Sequence, residues 1–270
     1  MSLRAISGSI VSMGRYKRIG HWAVDYVYML RGRALMMVHK NPPKHYLGYV
    51  LPGKAPVILI PGILLRWSFM KHLGDSISLA GHPVYIVPGL KSNLYSIPIS
   101  AKKLRAIVVR IIPKLARVAP RLSHSSKIVR DFLERYNIKE AVLVAHSKGG
   151  LIGKYLLVHD NQDHRVKGMV AIATPFSGSS LARLISHGSF KELRADSKIL
   201  HDLASHPSVN QQIISLIPQF DNHVWAEKGS FLEGADNIVV DVSGHHRILF
   251  DTHVREKVLE SIERISARIQ

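Results

Sequence analysis

The sequence contains no cysteine. Disulfides and thiolate metal sites are thereby excluded. Acids are scarce as well. Only 19 Asp and Glu stand against 37 Lys and Arg, and the formal charge is +18 at pH 7. So positive a field favours anionic partners such as nucleic acid, acidic lipid or an acidic protein. The shortage is uneven. Residues 1–54 hold nine Lys/Arg and one acid, Asp25, while residues 102–121 hold seven Lys/Arg and no acid. The C-terminal third is closer to balance. The basic excess therefore reads as a peripheral feature, separate from the region around Ser147.

A long apolar run is also missing. No uncharged apolar stretch reaches the roughly 18 residues that a spanning helix needs. The first residues lack the continuous apolar core of a secretory signal. They are rich in Ser and Arg and free of acid up to Asp25, a composition shared by transit peptides and plain basic arms. The expectation is a cytoplasmic protein, with peripheral membrane contact left open. No internal repeat or low-complexity tract is present. A chain of 270 residues can bury roughly 70–75% of its unfolded surface. One large α/β domain or two small domains would fit.

What is present is a series of short apolar runs closed by turn residues. Residues 57–60 (VILI) lie between Pro56 and Pro61-Gly62. VYIV (84–87), AVLVA (141–145), MVAIA (169–173), QIISLIP (212–218) and NIVVDV (237–242) follow. Such runs suit strands buried on both faces. Between them, residues 66–80, 99–135, 149–159 and 252–268 read as helices, and 178–212 as short helices and loops. Upstream, Trp22, Tyr26, Val27, Leu30, Ala34, Leu35 and Val38 are spaced as the apolar face of an amphipathic helix or helix pair. Asn41-Pro42-Pro43 ends it. The fold class is α/β, a mostly parallel central sheet with helices on both faces. In such sheets, ligands collect at the carboxyl ends of the strands.

The third run leads straight into His146-Ser147-Lys148-Gly149-Gly150 and a helix. This is the strand–serine–helix context of a nucleophile elbow. Small residues two before and two after, Ala145 and Gly149, make room for the strained turn. The plainer reading is an ordinary Gly-rich turn. A nucleophilic serine needs a base, and the base an orienting acid. Asp221 follows the fifth run. His245 and His246 follow the sixth, and His245 comes directly after Gly244. The order Ser, Asp, His is the one required on a sheet of this type. Asp196, Asp202 and Asp236 are weaker candidates for the acid: the first two lie in the polar stretch 178–212, and the third precedes a strand. His245 is favoured over His246 because a tight turn can aim its ring at the sheet end. His246 and His223 then read as partly solvated loop residues. A metal site from Asp221, His223, His245 and His246 is conceivable, but it would leave Ser147 unexplained.

A tetrahedral intermediate also needs two N–H donors. The residue after the nucleophile, Lys148, and Ile63 in the loop after the first run are the candidates. The Lys148 ammonium is expected in solvent or on a surface acid, since a cation gains nothing at a helix N-terminus. Leu64, Leu65, Trp67 and Phe69 in the same early loop suit either an acyl chain or core packing.

LIPGI (59–63), AHSKGG (145–150), ATPFSGS (173–179), FDNHV (220–224) and GHHRILFD (244–251) together resemble the α/β-hydrolase superfamily, in its small bacterial lipase/esterase branch. The resemblance covers about residues 55–270. It implies the fold, the triad Ser147–Asp221–His245, the oxyanion donors Ile63 and Lys148, and no cofactor. Three features depart from the family pattern. His-Gly before the oxyanion residue is Pro61-Gly62, Val-Pro after the acid is Val224-Trp225, and residues 111–123 form an extra piece. The first 54 residues have no counterpart, and they read as a separate basic helical segment.

In the basic insertion that includes the extra piece, about 102–123, Leu104, Ile107, Val108, Ile111, Leu115 and Val118 share one helical face. Arg110, Lys114, Arg117 and Arg121 share the other. This basic segment, about 102–123, is a helix packed on the sheet or a contact for anionic membranes. No nucleic-acid module is recognisable. The expected activity is hydrolysis of carboxylic esters, lipid or other acyl esters, with 177–211 as a possible lid by position. An acyltransferase with the same triad and a non-catalytic binding protein on the same fold are the rivals.

Overall fold

The computed structural model describes residues 15–87, 90, 140–161, 164–179, 181–182, 188–224 and 229–268. The basic segment at 102–123 lies outside the described residues. The elements in chain order begin with α1 (Arg15–Val38) and α2 (His45–Gly48). β1 (Val57–Ile60), α3 (Lys71–Leu79) and β2 (Val84–Ile86) follow. Next come β3 (Ala141–His146), α4 (Lys148–His159) and β4 (Val166–Ile172). α5 (Gly188–Lys191), α6 (Lys198–Ala204), β5 (Ile213–Phe220), β6 (Asp236–Ser243) and α7 (Thr252–Ala267) complete the series.

All six expected strands pair in one sheet, in the order β2-β1-β3-β4-β5-β6, and each pairing is parallel. The alternation of side chains along β3 explains why both faces must be covered. Val142 and Val144 join the cluster that holds Leu73 and Ile77 of α3 and Val254, Val258 and Ile262 of α7. Ala141, Leu143 and Ala145 join the opposite cluster, with Leu151, Ile152 and Leu156 of α4. Successive residues point to opposite faces, so a strand apolar at every position stays put only between two helical layers. Each fully buried aliphatic side chain contributes roughly 1.5–3 kcal/mol. Residues 166–168 extend β4 upstream of the apolar run 169–173. The polar Lys167 sits at a register shift opposite Ala141/Val142, and that shift interrupts the pattern a sequence can display.

The chain visits β1, moves outward to β2, and returns across β1 to β3. The crossover changes direction between β1 and β3. A crevice at the carboxyl ends of two such strands is where α/β sheets bind ligands. Ile63 follows β1 and Ser147 follows β3, so both stand at this crevice.

α1 is a single helix, but its contact face differs from the expected one. Tyr26, Val27, Leu30 and Val38, counted as its apolar face, are exposed. The fully buried Asp25 and the buried Gly32 lie seven residues apart on the inner face. Met36 packs against the core from that side. A carboxylate and a glycine mark the packed side of this helix, and a search for apolar periodicity passes over both. Among the described residues no helix is long and apolar enough to cross a membrane.

Candidate active site

Ser147 joins β3 to α4 with φ 55° and ψ −125°. This conformation is costly for a residue with a Cβ, of order 1–3 kcal/mol. Its N–H donates to the Ile172 carbonyl at 2.9 Å, which ties the turn to β4. Gly149 has to be glycine, because a Cβ there would lie 2.4 Å from the Ile60 carbonyl oxygen. The small-residue spacing around Ser147 is thus a steric requirement of β1 packing against the turn.

His245 brings its Nε2 to 3.0 Å from Ser147 Oγ. Its Nδ1 lies 2.9 Å from Oδ2 and 3.1 Å from Oδ1 of Asp221. Asp221 follows β5 directly, and its Oδ1 accepts the N–H groups of His223 and Val224 at 2.8 and 2.9 Å. Burial works to raise the Asp221 pKa. The facing His245 and the two N–H donors outweigh it and hold the carboxyl below its ordinary value. For His245, burial works to lower the pKa, but Asp221, helped by Asp25, more than reverses this and leaves it raised. The three residues that the strand order singled out are therefore brought together. The arrangement can pass a proton from a hydroxyl to an imidazole whose positive form is supported by a carboxylate.

Asp202, a weaker candidate for the acid, pairs with His159 at 2.8 Å, and Asp236 pairs with Arg264. Neither is near Ser147. Ile63 lines the same cavity as Ser147, and Lys148 is the first residue of α4. Their backbone N–H groups stand at the two strand ends that flank the crevice.

Two expectations about side chains are corrected. The Lys148 side chain is completely buried, with Nζ 3.6 Å from the mostly buried carboxylate of Glu192. Segment 188–193 folds over this end of α4 and takes the ammonium out of water. Burial lowers its pKa and Glu192 partly restores it. His246 is buried too, and its Nδ1 lies 2.9 Å from Asp25 Oδ2. Burial is the main influence on its pKa and, despite Asp25, leaves it lowered.

His146, Asn222 and Asp25 are polar residues at the site that sequence reasoning missed. His146 is fully buried, and its Nε2 lies 2.9 Å from the His245 carbonyl oxygen. Burial, reinforced by the neighbouring His245, holds its pKa well below the usual value. The neutral ring therefore donates its Nε2–H to that carbonyl. Asn222 accepts the His245 N–H at 3.0 Å and donates to Asp25 at 3.0 Å. One signal for Asp25 was available, since it is the sole acid in a strongly basic stretch.

The cavity at Ser147 measures about 350 Å³. Ile63, Leu64 and Leu65 of the early loop line it, as do Leu181, Ala182, Phe190 and Leu193. The early loop thus divides: Leu64 faces the cavity, Leu65 lines it while packing into the core, and Trp67 and Phe69 belong to the core alone. Tyr26, Met29 and Arg33 of α1 also line it. The basic N-terminal stretch is therefore not set apart from Ser147, because the inner face of α1 carries its helix directly onto the site.

The quartet considered for a metal is differently arranged. Asp221 and His245 hold each other. The set with ligand atoms close together is Asp25, His223 and His246, all within 4.8 Å of one another. Asp25 already accepts four hydrogen bonds, from Asn222, from the His246 ring and from the backbone N–H groups of His246 and Arg247. His223 is pushed down to about 3, mainly by burial and by neighbouring histidines. His159, Asp202 and His206 form a second such group, away from the site.

A parallel sheet covered on both faces, with a strained serine at the carboxyl end of a central strand, defines an α/β hydrolase. The chain belongs to this family: its model, described as alpha/beta hydrolase fold, matches residues 55–196. No curated protein matches the sequence significantly. Among solved structures, the chain is similar to the mature lipase BlEst2 of Bacillus licheniformis. The two share 14% identity and a TM-score of 0.57, over 83% of this chain and 94% of that one. It is also similar to the metagenomic carboxyl esterase MGS0156, with 14% identity and a TM-score of 0.58, over 82% of this chain and 78% of that one. A third similar structure comes from the metagenome-derived lipolytic enzymes LipS and LipT. It has 16% identity and a TM-score of 0.53, over 80% of this chain and 96% of that one. At these identities the likeness concerns the fold.

Proposed function

We propose that this protein is a serine hydrolase of carboxylic esters, acting on lipid or other acyl esters through an acyl-enzyme. The observation that carries the reading is the continuous contact from Ser147 Oγ to His245 Nε2 and from His245 Nδ1 to Asp221. Ser147 attacks the ester carbonyl as His245 takes its proton. Asp221 holds the ring's orientation and supports its positive charge. The backbone N–H groups of Ile63 and Lys148 stabilise the oxyanion. His245 then returns the proton to the leaving alcohol, and water releases the acid by the same steps. The apolar cavity walls suit an acyl chain. The similar structures are those of a lipase, a carboxyl esterase and lipolytic enzymes, which agrees with this reading.

The test is covalent labelling by a fluorophosphonate together with hydrolysis of p-nitrophenyl butyrate. The wild-type protein should be labelled on Ser147, and Ser147→Ala should lose both labelling and turnover. Absence of an adduct on folded wild-type protein would remove the proposal.

A further inference from the structure

Asp25 lies on α1, outside the matched family region, yet it is fully buried beside the base. Its Oδ1 accepts the backbone N–H groups of His246 at 2.7 Å and Arg247 at 2.9 Å. Its Oδ2 faces His246 Nδ1 at 2.9 Å and Asn222 Nδ2 at 3.0 Å. Asn222 in turn uses its own oxygen to accept the His245 N–H at 3.0 Å. One carboxylate thus holds both the loop that carries the acid and the loop that carries the base. The backbone is shaped to admit it. Gly244 has φ 120°, and a Cβ there would lie 2.6 Å from Asp25 Oδ1.

We propose that Asp25 is a positioning residue for His245, which makes α1 a working part of the catalytic centre. The inference rests on reading Ser147, His245 and Asp221 as a triad. A buried carboxylate is expensive unless every lone pair is used, and here four donors converge on it. Packing alone would be served as well by an apolar side chain. A carboxylate adds a fixed geometry for residues 245–247 and a negative charge behind the imidazole. Around His245, the facing titratable groups are Asp221, Asp25 and the rings of His146, His223 and His246. The three rings are held below the usual histidine value, burial being the main cause. Among these groups the charge on His245 is therefore set by two carboxylates, one from β5 and one from α1.

Asp25→Asn tests this in the full chain. The variant keeps an oxygen for the two backbone N–H groups. Its amide then opposes Asn222 Nδ2, so the acceptor for His245 N–H is released. Folding is followed by circular dichroism and thermal melting. The expected result is a folded protein whose kcat on p-nitrophenyl butyrate falls on the order of 10- to 100-fold, with KM little changed. Loss of the second negative charge should also move the acid limb of the kcat/KM profile to lower pH. A folded Asp25→Asn with wild-type kcat overturns the proposal, and so does a loss of kcat with the acid limb unmoved. Should that variant not fold, Asn222→Ala decides. It keeps Asp25 and its bonds to 246 and 247, and only a clear fall in kcat is compatible with the proposal. Fluorophosphonate labelling separates the two levels. Unlabelled wild-type protein defeats the triad reading itself. Labelled wild type with an equally fast Asp25→Asn defeats only the role given to Asp25.

Discussion

His146 precedes Ser147 on β3 and donates its Nε2–H to the carbonyl of His245, 2.9 Å away. The strand that presents the nucleophile thereby also grips the loop that presents the base. The contact fixes the spacing of the two groups independently of their own hydrogen bond. His146→Ala should leave a buried carbonyl without its donor, at a cost of about 1–3 kcal/mol in stability. It should also let the His245 loop drift. The expected outcome is a lower melting temperature and a fall in kcat on the order of 10- to 100-fold with KM little changed. His146→Gln, which keeps a donor of similar reach, should recover part of both. Equal kcat in wild type and His146→Ala would separate the grip from catalysis.

The pH dependence follows from His245. Burial lowers its pKa, but Asp221 and Asp25 reverse this and leave it above the ordinary histidine value. The ring must be neutral to take the Ser147 proton, so kcat/KM should rise with pH, with its acid limb centred above about 6.5. Asp221→Asn removes the principal negative partner. Its acid limb should move to lower pH while kcat falls by about 10⁴. Initial rates on a soluble ester between pH 5 and 9 check both statements. A wild-type limb centred below the ordinary histidine value would contradict the raised pKa.

The sheet and the three site residues were legible because each rests on a local pattern. β1, β3 and β5 are apolar at nearly every position, and the candidate residues stand at strand ends in a fixed order. Asp25 and His246 were not legible in this way. Their meeting spans 221 positions, and neither position carries a pattern of its own. The inner face of α1 escapes a search for apolar spacing because a carboxylate, Asp25, and a glycine, Gly32, mark it instead of an apolar stripe. Lys148 was misplaced for a related reason. A helix N-terminus disfavours a cation, but segment 188–193 supplies Glu192 at a point that spacing along α4 cannot reveal.

Lys148 provides a sharper separation of backbone from side chain. If its contribution to chemistry is the backbone N–H, Lys148→Met should keep most of the activity, because the N–H and the turn remain. Stability should drop, since Glu192 is left mostly buried without the ammonium, at a cost of about 1–3 kcal/mol for a partly exposed pair. Adding Glu192→Gln should restore much of that loss. Thermal melts of the single and double variants, run beside kcat, test the two statements separately. Activity as fully abolished as in Ser147→Ala would place the ammonium itself in the reaction.

Met29 of α1 lines the cavity together with Leu181, Ala182, Phe190 and Leu193, so a helix outside the matched family region should influence which acyl chain is accepted. The cavity, at about 350 Å³, lies near the small end of the range for ligand pockets. Short and medium acyl chains should therefore be preferred to long ones. Met29→Trp adds bulk at one wall without touching Ser147, His245 or Asp221. On p-nitrophenyl esters of graded length, it should shift the preference towards acetate and butyrate. The loss should grow with each added methylene pair, and kcat/KM on acetate should stay close to wild type. The hydrophobic contribution of about 0.8 kcal/mol per buried methylene corresponds to roughly fourfold in kcat/KM per excluded group. A uniform loss at every length would mean that the substitution perturbs the site itself, and an unchanged profile would place the acyl chain elsewhere.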